Sequence, residues 1–122
     1  EEERRADFSG FVEVKIISDF LPVLDSLEIA TKDKNWQTLD KTWQDGIKCL
    51  HKQFVEVLKG YNIEEIKAVS ERFDPAKHEA VGEVNTGDEK EDGMVVEEIR
   101  KGYKLGNKII RPTQVKINKY NK

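Results

Sequence analysis

The sequence predicts an α+β fold, in which two helices within residues 1–60 precede a small all-β domain within residues 61–122. Two observations predict this order. In the first half, apolar residues recur every three or four positions, as they do along one face of a helix. In the second half, short runs of β-branched and other apolar residues alternate with turn residues. A chain of 122 residues can hold one domain or two small ones.

The composition limits the core that one copy of the chain can build. Apolar residues make up 37% of the sequence and charged residues another 37%, against typical values of about one half and about one quarter. We therefore expect an elongated shape, or an oligomer whose subunits complete each other's cores. The sequence has no run of about 18 apolar residues and so predicts no membrane-spanning helix. Since it opens on Glu1-Glu2-Glu3 without an initiator Met, we expect a fragment of a longer protein.

The first helix is predicted from Phe8 to about Thr31. Its apolar residues recur at helical spacing: Ile17, Phe20, Leu24 and Leu27, with Phe8, Phe11 and Val12 extending the stripe towards the N-terminus. Pro22 lies inside this pattern, and a proline there removes one backbone hydrogen bond and clashes with the preceding turn. Because the stripe continues past Pro22, we expect a kinked helix.

The second helix carries the strongest periodic signal in the chain. Its apolar residues follow one another at intervals of three or four: Trp36, Leu39, Trp43, Ile47, Leu50, Phe54, Val57 and Tyr61. We expect Asp33 or Asn35 to cap its start and Gly60 to cap its end. Two helices with a short link form an antiparallel hairpin, which cannot bury such a face on itself. Periodicity leaves open whether a second copy covers it, giving a four-helix bundle, or the chain's own second half does.

Gly46 lies in the middle of the second helix, where glycine costs about 1 kcal/mol relative to alanine. A close crossing of two helices explains it, and a tolerated defect explains it equally well. If the helices pair with a second copy, we predict this dimer interface: Phe20, Leu24, Leu27, Leu39, Trp43, Gly46, Ile47, Leu50 and Phe54.

The second half predicts a small antiparallel β-domain. Its strand-like runs are residues 94–96, 103–105, 108–110 and 114–117. Gly106-Asn107 separates two of these runs and predicts a two-residue hairpin turn. The acid-rich stretch from Thr86 to Gly93 predicts an exposed loop.

Charge is distributed unevenly in this half. Residues 61–92 carry ten acids and four bases, whereas residues 93–122 carry two acids and eight bases. Clustered bases bind phosphate in nucleic-acid modules, so these eight are candidate phosphate-binding residues: Arg100, Lys101, Lys104, Lys108, Arg111, Lys116, Lys119 and Lys122. These modules normally interleave stacking aromatic residues, and only Tyr103 and Tyr120 are available here. Docking of the basic face onto an acidic protein is the alternative.

Motifs of catalysis are absent from the sequence: it has no P-loop, GxGxxG, GxSxG or HExxH. We expect no catalytic residue, no cofactor and no metal. His51 is expected to be solvated on the polar side of the second helix. His78 lies near two carboxylates, but without a matching cluster a local hydrogen bond in a turn is favoured over a metal site. Cys49 is the only cysteine, fits a reducing compartment, and is expected to be a buried thiol rather than a nucleophile.

Three ordered motifs resemble those of a known family. Residues 73–81 are similar to the FDPxxHEAV signature of the GrpE family, and residues 21–27 to its LPVLDxLExA segment. Further matches follow in the family's order: residues 93–95, 101–105, 110–112 and 115–117. The pattern departs at Thr113, where alanine is usual, and at Lys108, where arginine is common.

The resemblance implies a homodimeric nucleotide exchange factor of DnaK-type heat-shock chaperones. Residues 1–60 would be the end of a long paired helix plus a dimeric four-helix bundle, and residues 61–122 a β-wing. The protein would bind the chaperone's ATPase domain, open its nucleotide cleft and promote ADP release, without nucleic acid or membrane as a partner. Phe73, Ile99 and Ile117 would be apolar anchors on the chaperone, and Lys108 a polar contact.

Three matters stay open at this stage. A dimeric helical scaffold without exchange activity would share the helices. A nucleic-acid module would use the basic C-terminal segment. The resemblance implies a bacterial cytoplasm as the compartment, with the matrix of an organelle as the alternative.

Overall fold

The computed structural model describes residues 2–121, and their side chains from Val14 onwards. Within this part of the chain, two helices are followed by six strands in two sheets. The predicted α+β class and order of elements are therefore confirmed. Contacts divide the chain into two compact units, residues 1–62 and 63–122. Neither of the described helices is both long enough and apolar enough to cross a membrane.

Helix α1 runs from Glu2 to Lys32 and passes through Pro22 without interruption. Pro22 and Ser18, one turn earlier, are both exposed. Water can therefore bond to the Ser18 carbonyl, which lacks the N–H that another residue at position 22 would offer. The predicted stripe residues Phe8, Phe11 and Val12 have side chains outside the described residues.

Helix α2 spans Lys41–Gly60 and begins later than predicted. Trp36–Thr38 form a 3-10 turn, and Leu39 after it is extended, with φ −70° and ψ 145°. The side-chain amide of Gln44 fastens this turn to the helix, because its Nε2 donates to the carbonyl oxygens of Trp36 at 2.7 Å and Leu39 at 3.3 Å. Helical spacing thus continues through a segment that is not α-helical.

The predicted caps of α2 are wrong in detail. Asp33 accepts a hydrogen bond from the backbone of Asn35 at 2.8 Å and so closes a turn of its own, while Asp40 takes the N-cap position without a side-chain cap bond. Gly60 is the last helical residue, and the left-handed conformation after the helix falls on Asn62, with φ 65°. Asparagine tolerates this conformation better than most residues.

Two expectations about α2 side chains are overturned. Cys49 is exposed rather than buried, because the apolar stripe beside it is itself uncovered at this point: Leu50 is 49% exposed. His51 is not simply solvated: its Nε2 contacts a carboxylate oxygen of Glu28 on α1. The polar sides of the two helices meet at this pair.

The second unit holds six short strands: β1 (Ile63–Glu65), β2 (His78–Thr86), β3 (Val95–Arg100), β4 (Tyr103–Leu105), β5 (Lys108–Arg111) and β6 (Thr113–Tyr120). One sheet has the order β1-β4-β5 and the other the order β2-β6-β3. The predicted hairpin turn is confirmed, because Leu105 pairs with Lys108 across Gly106-Asn107. Gly106 has φ 58°, a conformation that glycine adopts without strain.

The expectation of an antiparallel domain is wrong for one pair of strands. β2 runs parallel to β6, from His78 opposite Thr113 to Thr86 opposite Tyr120. Parallel neighbours need a long crossover connection, and β3, β4 and β5 supply it here. The other three strand pairs are antiparallel.

The acid-rich stretch is exposed as predicted, although Thr86 itself belongs to β2. Asp88 accepts a hydrogen bond from the backbone of Lys90 at 2.9 Å and so caps a short 3-10 turn, Glu89–Glu91.

Candidate protein-interaction surfaces

Phe73 and Ile117 rest on the same buried cluster of the second unit. Ala68, Val95 and Val115 form this cluster, with 3%, 2% and 0% of their surfaces exposed, and both residues pack against it. Ile117 pairs directly with Val95 across β6 and β3. Phe73 and Ile117 are themselves only half-buried. The structure thus gathers two of the four predicted chaperone-contact residues onto one support and leaves part of each in solvent.

The turn at residues 73–78 holds Phe73 in place. The backbone N–H of Phe73 donates to the carbonyl of Gly93 at 2.9 Å, and its ring lies 6.0 Å from the His78 ring, between centroids. Asp74 closes the turn, since its backbone carbonyl accepts from the N–H groups of Lys77 and His78 at 3.0 and 2.8 Å.

His78 is buried and fully hydrogen-bonded. It is 4% exposed; its Nδ1 accepts from the backbone N–H of Asp74 at 3.0 Å, and its Nε2 lies 3.0 Å from the carbonyl oxygen of Lys67. These partners require the neutral tautomer with hydrogen on Nε2. The predicted local hydrogen bond is therefore confirmed. No group of three or more His, Cys, Asp or Glu among the described residues could hold a metal ion.

Replacing His78 with leucine should therefore destabilise the second unit. The substitution leaves two part-buried backbone groups, on Asp74 and Lys67, without their His78 partner, and a buried group left in this way costs about 1–3 kcal/mol. We expect a loss of about 2–4 kcal/mol, measured as faster amide hydrogen exchange along β6. Glu79→Gln, at the exposed next position of β2, is the control. Equal exchange in the two variants would contradict the structural role of His78.

Ile99 and Lys108 lie elsewhere on the same unit. Ile99 is 44% exposed on β3, at a point where the register with β6 shifts between Glu98 and Arg100. Lys108 is exposed at the start of β5, on the other sheet. None of the four predicted contact residues is fully buried, so each keeps surface available for a partner.

Half of the eight predicted bases make contacts within the unit. Three of its lysines pair with acids: Lys101 with Glu65 at 3.1 Å and Glu98 at 3.5 Å, Lys116 with Glu97 at 3.8 Å, and Lys119 with Glu83 at 3.7 Å. Tyr103 is 1% exposed beneath the guanidinium of Arg111, 5.5 Å from the ring centroid. A buried ring cannot stack on a nucleotide base. Lys122, the last predicted base, lies outside the described residues.

The helical unit leaves a broad apolar face uncovered. Among the predicted interface residues, Trp43 is 68% exposed, Phe20 55%, Leu50 49% and Leu39 42%. Leu27, Ile47 and Phe54 are half-buried. Leu24 is already 1% exposed within its own hairpin, so it can add little area to any interface.

Two features lie beside this face. An apolar groove of about 220 Å³ runs between the helices, lined by Ile17, Phe20, Leu21, Leu24, Phe54, Val57 and Leu58. Apart from its chain neighbours and the nearby backbone of its own helix, no described atom comes within 4 Å of the point where a Cβ on Gly46 would stand. The close helix crossing predicted at Gly46 therefore does not occur within the described part of one chain.

Known proteins are similar to this chain over most of its length. The family model described as GrpE matches residues 1–119. The protein GrpE of Bacillus licheniformis is 42% identical over 104 residues, which are 85% of this chain and 53% of that protein. The GrpE proteins of Bacillus cereus and Bacillus anthracis are each 40% identical over 103 residues, or 84% of this chain and 54% of theirs. The chain spans about half the length of the curated relatives that it matches.

Proposed function

Because this chain belongs to the GrpE family, we propose that it is a nucleotide exchange factor of a DnaK-type chaperone. It binds the chaperone's ATPase domain, opens the nucleotide cleft and promotes ADP release. The observation that carries this proposal is the family match over residues 1–119. The buried His78 supports the proposal. It bonds to the backbone of Asp74 and contacts the ring of Phe73, and so it helps the family's signature segment to hold a half-exposed apolar side chain in place.

The proposed mechanism needs no covalent chemistry. A protein that binds the open-cleft state of the ATPase domain more tightly than the closed state shifts the population towards the open state. The shift equals its differential affinity for the two states. Coupling is reciprocal, so bound nucleotide weakens the exchange factor's affinity by the same factor. ADP release is therefore accelerated only as far as the factor discriminates between open and closed clefts.

The proposed chaperone-binding surface comprises Phe73, Ile99 and Ile117 as apolar anchors and Lys108 as a polar contact. The common support of Phe73 and Ile117 on a buried cluster favours them as anchors, because a rigidly held side chain loses little entropy on binding. Lys108 is exposed at a hairpin, where a charge contributes more to the association rate than to affinity.

We also propose that two copies of the chain form a four-helix bundle through the apolar face of α1 and α2. The exposure of Trp43 and Phe20 supports this, since large contiguous apolar surfaces on soluble proteins mark interaction sites. A two-fold pairing of identical faces is the commonest arrangement of such surfaces. Gly46 lies on this face, one turn from Trp43 and from Leu50.

Gly46→Asp should weaken the dimer. The substitution adds bulk and an unpaired charge at the proposed interface, and an uncompensated buried charge is strongly destabilising. Sedimentation equilibrium should give a dimer for the unchanged chain and a dissociation constant at least about tenfold higher for the variant. The control is Lys52→Gln, which lowers the net charge by one unit, as Gly46→Asp does. Lys52 lies about two and a half turns from Trp43 and so on the opposite side of α2, and this control should leave the dimer intact. A stable monomer for the unchanged chain at micromolar concentration would contradict the proposed dimer.

The exchange activity is tested by the release of fluorescent ADP from a DnaK-type chaperone, with and without this chain. We expect accelerated release that saturates with chain concentration. A dimeric scaffold would leave the release rate unchanged. A nucleic-acid module would also leave it unchanged and would instead bind nucleic acid with a steep salt dependence. Either of these outcomes contradicts the proposed function.

The proposed compartment is the cytoplasm of a bacterium, with the matrix of an organelle as the alternative. The Bacillus origin of the similar proteins supports the first. Fractionation of the source cells, followed by immunodetection of the chain, tests it.

A further inference from the structure

Thr113 joins the two sheets of the second unit through its side chain. It is fully buried, at 0% exposed, and is the first residue of β6. Its hydroxyl accepts a hydrogen bond from the backbone N–H of Gly102 at 3.1 Å and faces the carbonyl oxygen of Ile66 at 3.5 Å. Gly102 and Ile66 flank strands of the other sheet and bond to each other, the N–H of Ile66 donating to the carbonyl of Gly102 at 3.0 Å.

The backbone of Thr113 extends the same link. Its N–H donates to the carbonyl of Lys77 at 3.0 Å, immediately before β2. One residue thus ties the start of the β2-β6-β3 sheet to the residue after β1 and the residue before β4. The packing is tight, because a Cβ on Gly102 would stand only 2.5 Å from the Thr113 hydroxyl oxygen. A side chain larger than that of glycine therefore has no room at position 102.

The proposed chaperone-contact residues are divided between these two sheets. Lys108 belongs to β5, whereas Phe73 and Ile117 pack against the buried cluster, which includes residues of β3 and β6. The angle between the sheets therefore sets the spacing between the charged contact and the apolar anchors. We propose that Thr113 is a positioning residue, whose hydroxyl fixes this angle and so matches the two parts of the surface to the chaperone. The inference rests on the proposed exchange function.

A pair of substitutions separates the hydroxyl from the shape of the side chain. Thr113→Val keeps the shape of the side chain but leaves the Gly102 N–H unpaired. It also replaces the hydroxyl oxygen, 3.1 Å from the Gly102 nitrogen, with a methyl group, and carbon and nitrogen repel each other at that distance. Thr113→Ser keeps the hydroxyl. Ile63→Val, in the buried start of β1, is a control that lowers stability without removing a bond between the sheets.

The experiment measures binding of each variant to the chaperone's ATPase domain, well below its melting temperature. We expect Thr113→Val to bind about three- to tenfold more weakly, while Thr113→Ser and Ile63→Val bind like the unchanged chain. If Thr113→Val weakens binding by displacing Lys108, then in a Lys108→Ala background it should weaken binding by less than about twofold. Two mutations that remove the same interaction are not additive. Residual dipolar couplings of the backbone amides should show a changed angle between the sheets in Thr113→Val and not in Thr113→Ser.

The outcomes distinguish failure of this inference from failure of the proposed function. If the unchanged chain does not bind the ATPase domain, the proposed function falls, and this inference falls with it. If the unchanged chain binds, then unaltered binding by Thr113→Val, full additivity with Lys108→Ala, or an unchanged sheet angle each overturns the inference alone.

Discussion

Gly102→Ala is expected to lower the free energy of unfolding of the second unit by about 3 kcal/mol, at the upper end of the range for overpacking. The new Cβ would stand 2.3 Å from the backbone nitrogen of Thr113 and 2.7 Å from the carbonyl carbon of Pro112. These are backbone atoms, so no side-chain rotation can relieve the clash. The segment has to move away, and the hydrogen bond from Gly102 to the Thr113 hydroxyl is then lost as well.

Amide hydrogen exchange along β6 measures this loss. Gly87→Ala is a matched control, because Gly87 is exposed and, apart from its two chain neighbours, no described atom lies within 4 Å of its Cβ position. We expect exchange in the Gly87 variant to match that of the unchanged chain, and exchange in the Gly102 variant to be about a hundredfold faster. Indistinguishable exchange in the two variants would show that the β3–β4 connection is loose enough to accept a side chain.

The helices could be predicted from sequence because their signal is local. An apolar stripe at intervals of three or four residues, as in Trp43, Ile47 and Leu50, reports helical structure without reference to the rest of the chain. The same periodicity failed at the start of α2, since Trp36 and Leu39 keep the spacing while the backbone turns between them. What fixes that boundary is the amide of Gln44 bonding back to two carbonyls, a contact that no periodic pattern contains.

The sheets were predictable in content but not in pairing. The β4–β5 hairpin follows from a two-residue turn at Gly106-Asn107, whereas the parallel pairing of β2 with β6 joins strands that are far apart in sequence. Such a pairing depends on the path of everything between the two strands, which residue pattern alone does not specify.

The residues of the candidate surface could be predicted from the family resemblance, but the residues that hold them in place could be identified only from the structure. Phe73, Ile99, Lys108 and Ile117 were named from motif positions. The roles of His78 and Thr113 each depend on a partner 11 residues away in sequence, Lys67 for His78 and Gly102 for Thr113. Thr113 departs from the family pattern, and in this chain its hydroxyl accepts a hydrogen bond from the backbone of Gly102.

Substitutions at the proposed anchors should show the largest effect on activity. Truncating a well-packed anchor at an interface typically costs about 2 kcal/mol or more, roughly thirtyfold in affinity. We expect the double variant of Phe73→Ala and Ile99→Ala to lose at least this much affinity for the ATPase domain, and stimulated ADP release with it. Lys108→Ala should lose less, because a charge on a solvated rim is worth less than a buried anchor.

Folding has to be measured beside release, because Phe73 also packs against the buried cluster. Val96→Ala is the matched control for Ile99→Ala: the two residues lie on the same strand and are 40% and 44% exposed. We expect Val96→Ala to retain full stimulation, and Ile117→Ala to show a larger melting shift than Phe73→Ala because it lies within β6. A loss of stimulation with melting close to that of the unchanged chain identifies Phe73 and Ile99 as anchors. Normal release by a correctly folded double variant refutes that assignment.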